Sequence, residues 1–518
     1  MILWSASARA PAYALLMNVS LSSSNRADAR RSTLSIDNSR LFFATVLLSI
    51  VPFWFGQYLP MVDLPGHAAV ITALQEIAAG NQTFESAFDA HWSSPYLLGY
   101  ALFYAAATFL PAPIAAKIVV SLAVAAVPLA TAALLRAAGA DERWRWLAIP
   151  ASYSNAFYWG FVSFIVAVPL ALLLLIQTIR FDQEATLRRG GIIAATTIFL
   201  FYSHIIATGF ACMTALAYLA ANNFRNPKQL IFRSLPYTPP IPFILMWFAS
   251  NKTGAADAPI IYGPVIDRAT MLLVQPAGFE RVTAIAVLVT CAILFLPPLA
   301  GSRLSKNPAR WLPFLLGLAA FLLVPSYAFQ TAFLYHRLGV FLVPLWLLLW
   351  DRPIESRGRW AWLAMPLAVI WVFSNVARFA SFARETQHFD AVLATMEPGK
   401  RVASLVVDRT TPLFGTPVYL HFASWYQASK RGIVDFNFAD FYTVLEYKQG
   451  GRPRVTEQIG WYPQLFRWEA NGGANYDYFV IKGDLNNDVA PMIFKEHVRD
   501  VELIAHSGWW WVYRKRPH

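Results

Sequence analysis

The sequence predicts a multi-span α-helical membrane protein with about eleven transmembrane helices, juxtamembrane helices in the first external loop, and a small C-terminal α/β domain outside the cytoplasm. Composition points there first: 57% of the 518 residues are hydrophobic, 15% aromatic and only 14% charged, with a mean hydropathy of +0.43. No water-soluble globule has that balance. Apolar runs recur from residue 41 to about residue 380 and then give way to mixed polar sequence. Basic residues gather in short connections between those runs, which orients the chain across a bilayer.

Residues 1–40, from Met1-Ile2-Leu3-Trp4 through the Ser-rich stretch to Ser39, read as a disordered cytoplasmic tail carrying Arg26, Arg30, Arg31 and Arg40. The first apolar run, 41–59, has no small-residue cleavage site after it and is expected to remain as a signal anchor. Positions 60–113 contain no lysine or arginine, so this segment is expected outside. Within it Pro65 suits a first helical position. Val70, Leu74 and Ile77 then share one helical face, with Gln75 and Glu76 on another. The run 95–110 reads as a second juxtamembrane or re-entrant helix, because a crossing there would put every later basic connection on the wrong side.

Five connections carry three basic residues each: Arg136/Arg143/Arg145, Arg180/Arg188/Arg189, Arg225/Lys228/Arg233, Arg303/Lys306/Arg310 and Arg352/Arg357/Arg359. Placing these in the cytoplasm gives spans near 41–59, 114–136, 146–158, 160–179, 191–203, 205–222, 235–250, 282–300, 311–325, 338–350 and 360–379. Several are short for a bilayer core of roughly 30 Å. Short spans fit a cavity opening at one membrane face. The transmembrane domain is thus 41–380, and 381–518 forms the extracytoplasmic domain. In that domain 402–407, 478–481 and 510–513 read as strands. Its aromatic stretch 422–442, with His421, Trp425, Tyr426, Asp435 and Asp440, fits either stacking on a sugar or a packed aromatic core.

The two cysteines, Cys212 and Cys291, fall mid-span, so no disulfide framework is expected. The net charge of +12 belongs mainly to cytoplasmic loops facing anionic lipid and gives no support to nucleic-acid binding. There is no Cys/His zinc spacing, no G-x-S-x-G elbow and no P-loop.

All nine histidines fall at or beyond the outer rim: His67, His91, His204, His336, His388, His421, His497, His506 and His518. His204 sits in the tight turn between two short spans, and His336-Arg337 at the junction of the ninth and tenth. Asp63, His67, Glu85, Asp89 and His91 belong to the first external loop. A basic pair opposite an acidic loop suits holding a phosphate while a carboxylate works on an acceptor. Each residue also has a plainer reading. Asp63 can cap the helix that begins near Pro65, His67 and His91 can bond loop backbone, His204 can cap its own turn, Arg337 can snorkel at a span end, and Glu85 and Asp89 can be solvated.

The chain resembles the GT-C integral membrane glycosyltransferases, of the bacterial type that uses polyprenyl-phosphate sugars. The likeness rests on the loop acid in Val62-Asp63-Leu64-Pro65-Gly66-His67, on Tyr335-His336-Arg337-Leu338 leading into an apolar span, on Tyr158-Trp159-Gly160-Phe161, and on Tyr202-Ser203-His204. It implies that Asp63 is the catalytic base, inverting transfer being expected. It also implies that Arg337 faces the donor phosphate, with His67, His91, His204 and His336 as further substrate-binding residues. Leu64 follows Asp63 where the superfamily usually has a second acid, which argues against a divalent metal. The implied partners are a polyprenyl-phosphate-linked sugar donor, a glycan, lipid or protein acceptor, and the bilayer of the inner (plasma) membrane in the cell envelope. Two other classes fit a multi-span chain, a transporter or flippase and a non-catalytic assembly protein. The predicted spans contain no Asp or Glu and the chain shows no evident repeat, which disfavours a proton-coupled carrier.

Overall fold

The computed structural model describes residues 38–250, 259–329, 331–353, 358–441, 444–451, 457–483 and 487–517. Positions 1–37 of the expected tail, with Arg26, Arg30 and Arg31, lie outside the described residues, as do Arg357, Tyr442 and His518.

Backbone polar groups in hydrocarbon must bond within their own segment, so the apolar runs fold as helices. They are α1 (Asn38–Trp54), α2 (Leu64–Ala78), α3 (Gln82–Ala87), α4 (Leu97–Ala107), α5 (Ala112–Ala137), α6 (Ala148–Ala151), α7 (Asn155–Trp159) and α8 (Val162–Gln183). After these come α9 (Leu187–Ser203), α10 (Ile205–Asn223), α11 (Pro227–Ser234), α12 (Pro240–Ser250), α13 (Val265–Val274), α14 (Ala284–Leu299), α15 (Pro308–Leu323), α16 (Leu334–Leu347) and α17 (Ala364–Ala394). Among the described residues α5, α8, α10 and the stretch Trp360–Ala394 are long and apolar enough to cross a membrane. The chain is that of an integral membrane protein. α4, in the run 95–110, has 11 residues and a length of about 16 Å, half a bilayer core.

The segment 146–158 departs from the single helix expected of it. A 3-10 turn at Glu142–Leu147, α6 and α7 follow one another there. Pro150 removes a backbone donor, and Ser152 Oγ donates to the Ile149 carbonyl at 2.7 Å in competition with the helical ladder. The interrupted segment nonetheless runs beside α1 along its length: Phe42 meets Trp146 at one end and Phe53 meets Phe157 at the other, both with ring centroids 5.2 Å apart.

The helical bundle is polarised. Asp141 pairs with Arg143 at 2.6 Å and accepts from Ser302, Arg310 pairs with Asp351, and the strand Arg303–Leu304 pairs with Trp350–Asp351. Asp182 gathers Arg233, Asn222 and Asn223. These contacts collect the basic connections at one end. α8, α10 and α16 begin at the opposite end, next to Phe161, His204 and Arg337.

α17 leads directly into a five-stranded sheet in the order Val501–Ser507, Trp510–Lys515, Tyr478–Lys482, Arg401–Val406, Ile433–Val434. The first three strands pair antiparallel, and the last two join in parallel. Alternation along the strands divides the two faces. Val402, Tyr478, Val480, Trp510 and Val512 join the core shared with the helices, Trp510 meeting Phe389 of α17 at 4.8 Å. Leu405, Phe479, Ile481, Trp511 and Tyr513 pack with Phe466 and Phe494 on the other face. Trp425 and Tyr426 are 1% and 0% exposed, Trp425 lying against Tyr58, so of the two readings of the aromatic stretch these residues follow the packed core and not a sugar platform.

Candidate active site

The loop acid is set by backbone. Val62 N–H donates to the Tyr158 carbonyl at 3.0 Å and Asp63 N–H to the Trp159 carbonyl at 2.9 Å. Gly160 makes this approach possible: its φ of +80° closes α7, and a Cβ there would stand 2.9 Å from the backbone nitrogens of both Asp63 and Leu64. Pro65 occupies the first turn of α2, as its fixed φ suits. Asp63 stands at the N-cap position of that helix, where its side chain makes no capping bond among the described residues. Gly66 leaves room for Phe438, whose ring would lie 2.9 Å from an added Cβ.

His67, one turn further on, meets Tyr100 Oη through Nδ1 at 2.7 Å. Burial pushes its pKa down to about 3, with the positive charge of Arg337 adding to the effect, so the ring is neutral. His204 fills the turn between α9 and α10. Its Nδ1 accepts from Ile206 N–H at 3.2 Å, and its ring stands edge-on to Tyr96 and Phe164, each with centroids 5.0 Å away. Burial, then Arg337, hold it far below the usual imidazole range.

Arg337 lies in the first turn of α16. Its guanidinium covers the Phe161 ring at 3.5 Å and Nη2 donates to the Ala332 carbonyl at 3.3 Å, while Nε is buried with no hydrogen-bond partner among the described residues. Its charge acts on His67, Tyr96 and His204, and the Asp63 carboxylate acts on it in turn. The fold thus brings Asp63, His67, His204 and Arg337 into one polar cluster. Phe333, held at φ +58° just before α16, closes it against Trp159 at 3.9 Å.

Two expected substrate-binding residues sit differently. His91 lies beside the pairing of Phe88–Ala90 with Leu445–Tyr447, its N–H donating to Val444 and its Nε2 3.0 Å from Glu446 Oε2. That tie to the C-terminal region takes it out of the cluster, because depth along the bilayer normal says nothing of lateral position. His336 stacks on Tyr335 at 3.8 Å and is acted on by the charges of Arg268 and Arg337, with Nδ1 buried and unpartnered among the described residues. It borders the cluster from the side of α13. Glu76, expected on a polar face, is buried and paired with Arg431 and Asn81. Among the described residues no group of three or more His, Cys, Asp or Glu side chains is placed to hold a metal.

Sequence reasoning missed Tyr96 and Tyr100, and grouped His421 with the aromatic stretch and not with Asp63, whose Oδ1 lies 3.8 Å from its Nε2. It also missed the buried pair of Glu280 and Arg378, 3.1 Å apart, which holds the Tyr158 hydroxyl behind the loop acid.

ArnT from Cupriavidus metallidurans, in a crystal structure with undecaprenyl phosphate bound, matches the fold with a TM-score of 0.50 at 10% identity, over 93% of this chain and 99% of that one. The chain has the GT-C fold. Apo ArnT gives a TM-score of 0.49 at 10% identity, over 94% and 100% of the two chains. The arabinofuranosyltransferase AftD from Mycobacteria gives a TM-score of 0.45 at 14% identity, over 92% of this chain and 40% of that one. No protein-family model and no curated protein sequence matches the chain.

Proposed function

We propose that the protein is a membrane glycosyltransferase that moves a sugar from a polyprenyl-phosphate donor to an acceptor hydroxyl at the outer face of the membrane. The observation that carries this is that Asp63, its N–H on the Trp159 carbonyl at 2.9 Å, and Arg337, its guanidinium on the Phe161 ring at 3.5 Å, are held by one short segment of an ArnT-like fold. ArnT was captured with undecaprenyl phosphate, the chemistry of the donor proposed here. In this reading the basic connections face the cytoplasm. Residues 41–380 form the membrane domain with about eleven crossings, the interrupted stretch 142–159 among them, and 381–518 stand outside.

The donor tail stays in the bilayer and its phosphate meets Arg337, whose buried unpartnered Nε is a ready donor to an anionic oxygen. Asp63 accepts the proton of the acceptor hydroxyl as that oxygen attacks the anomeric carbon from the face opposite the phosphate. Inversion follows from that line of attack. Neutral His67 and His204 line the donor side without adding charge, and His336 flanks the phosphate.

The test uses cells deleted for the chain and complemented with variants, sugar-mass increments on envelope lipids and glycans being read by mass spectrometry. Asp63→Asn should lower transfer by about 10²–10⁴-fold while purified protein in nanodiscs still binds undecaprenyl phosphate. Arg337→Ala should weaken that binding at least about tenfold. Full transfer in Asp63→Asn would remove Asp63 as the base.

A further inference from the structure

His421 reaches the loop acid from the far half of the chain. It opens the turn before the short helix Trp425–Lys430, and its side chain is 11% exposed. Burial pushes its pKa down to about 3, so the contact with Asp63 joins a neutral imidazole to a carboxylate and is no ion pair. At 3.8 Å it is no hydrogen bond either. That separation does admit an oxygen about 2.8 Å from both atoms, the ordinary hydrogen-bond distance. A hydroxyl there can accept from one and donate to the other.

The ring is firmly held. It stacks on Phe436 with centroids 4.6 Å apart and planes 12° from parallel, and Phe438 meets it edge-on at 5.6 Å. Phe438 also meets His67 at 4.8 Å and covers Gly66 of α2. Gln427, 0% exposed, donates to the Ala69 carbonyl of α2 at 2.9 Å and accepts from Val434 N–H at 3.2 Å. The turn bearing His421 is therefore docked on the helix that Asp63 precedes.

We propose that His421 is a catalytic residue of the acceptor site, its Nε2–H donating to the acceptor oxygen while that hydroxyl gives its proton to Asp63; this rests on the glycosyltransferase reading above. The ligand class is an alcohol. The proton passes to the Asp63 carboxylate, the freed electron pair of the oxygen forms the bond to the anomeric carbon, and the bond from that carbon to the phosphate oxygen breaks with its electrons on the departing polyprenyl phosphate. His421 keeps its own proton throughout and orients the oxygen.

Two full-length variants separate this role from simple packing. His421→Phe keeps a ring on Phe436 and removes the donor; His421→Gln keeps a donor and removes the ring. Transfer should fall at least about tenfold in His421→Phe and be largely restored in His421→Gln, undecaprenyl phosphate binding being unchanged in both. Wild-type transfer in His421→Phe overturns the proposal and leaves the glycosyltransferase reading standing, as does equal loss in both variants accompanied by loss of undecaprenyl phosphate binding, which marks a packing role. Absence of any sugar increment that depends on the wild-type chain or on Asp63 defeats the underlying reading itself.

Discussion

Asp435, immediately before Phe436, is 3% exposed and its Oδ1 has no hydrogen-bond partner among the described residues. Burial pushes its pKa up to about 7, although backbone N–H groups of Ser404 and Phe436 pull the other way. A carboxyl whose folded pKa exceeds its unfolded value of 3.8 binds more protons in the native state. Its effect is therefore destabilising, growing as pH rises from about 4 to about 7 and constant above that. Asp435→Asn should flatten that slope in thermal unfolding and raise stability at pH 8 by on the order of 2–4 kcal/mol; an unchanged slope would assign it to another group. Single residues were legible where chain position determines depth. Asp63, His204 and Arg337 each adjoin the end of an apolar run, so their common depth follows from the pattern. Tyr100 and His421 were not, because their partners are decided by how α4 and the C-terminal region dock laterally.

Helices show the same division. The limits of α9 and α10 follow from two apolar runs meeting at His204, and α2 begins where Pro65 indicates. The break at Pro150 and Ser152 escaped notice because the residues around it are as apolar as those of a regular span. Glu280 and Arg378 escaped for a different reason: they lie 98 residues apart near two predicted span ends, and only folding joins the turn before α14 to α17 and to the Leu413 carbonyl. Burial holds the Glu280 carboxyl above its ordinary range, against the pull of Arg378. Removing one partner leaves a buried charge. Arg378→Met should cost about 3–5 kcal/mol, and the double variant Arg378→Met/Glu280→Leu markedly less. Chemical denaturation in detergent measures both, and a double variant as unstable as the single would show that the pair acts through something other than charge. Because Arg378 Nη1 also reaches the Tyr158 hydroxyl at 3.4 Å, the single variant should loosen the backbone that carries Asp63 as well.

At the scale of the molecule, the distribution of arginine and lysine is the most legible property of the sequence, since the cost of translocating basic loops is written in composition and needs no tertiary contact. Alkaline phosphatase fused after Pro517 should be active, and the same enzyme fused after Arg233 inactive; the opposite pattern would invert the proposed orientation and remove the cluster from the outer face. The union of the two regions was not legible, for it rests on α17. That helix has 31 residues and is about 46 Å long, starting among the apolar helices and ending beneath Trp510 of the sheet. It runs as one unbroken shaft from the apolar bundle to the sheet. The roof over Asp63 is thus bolted to its foundations through one stiff member.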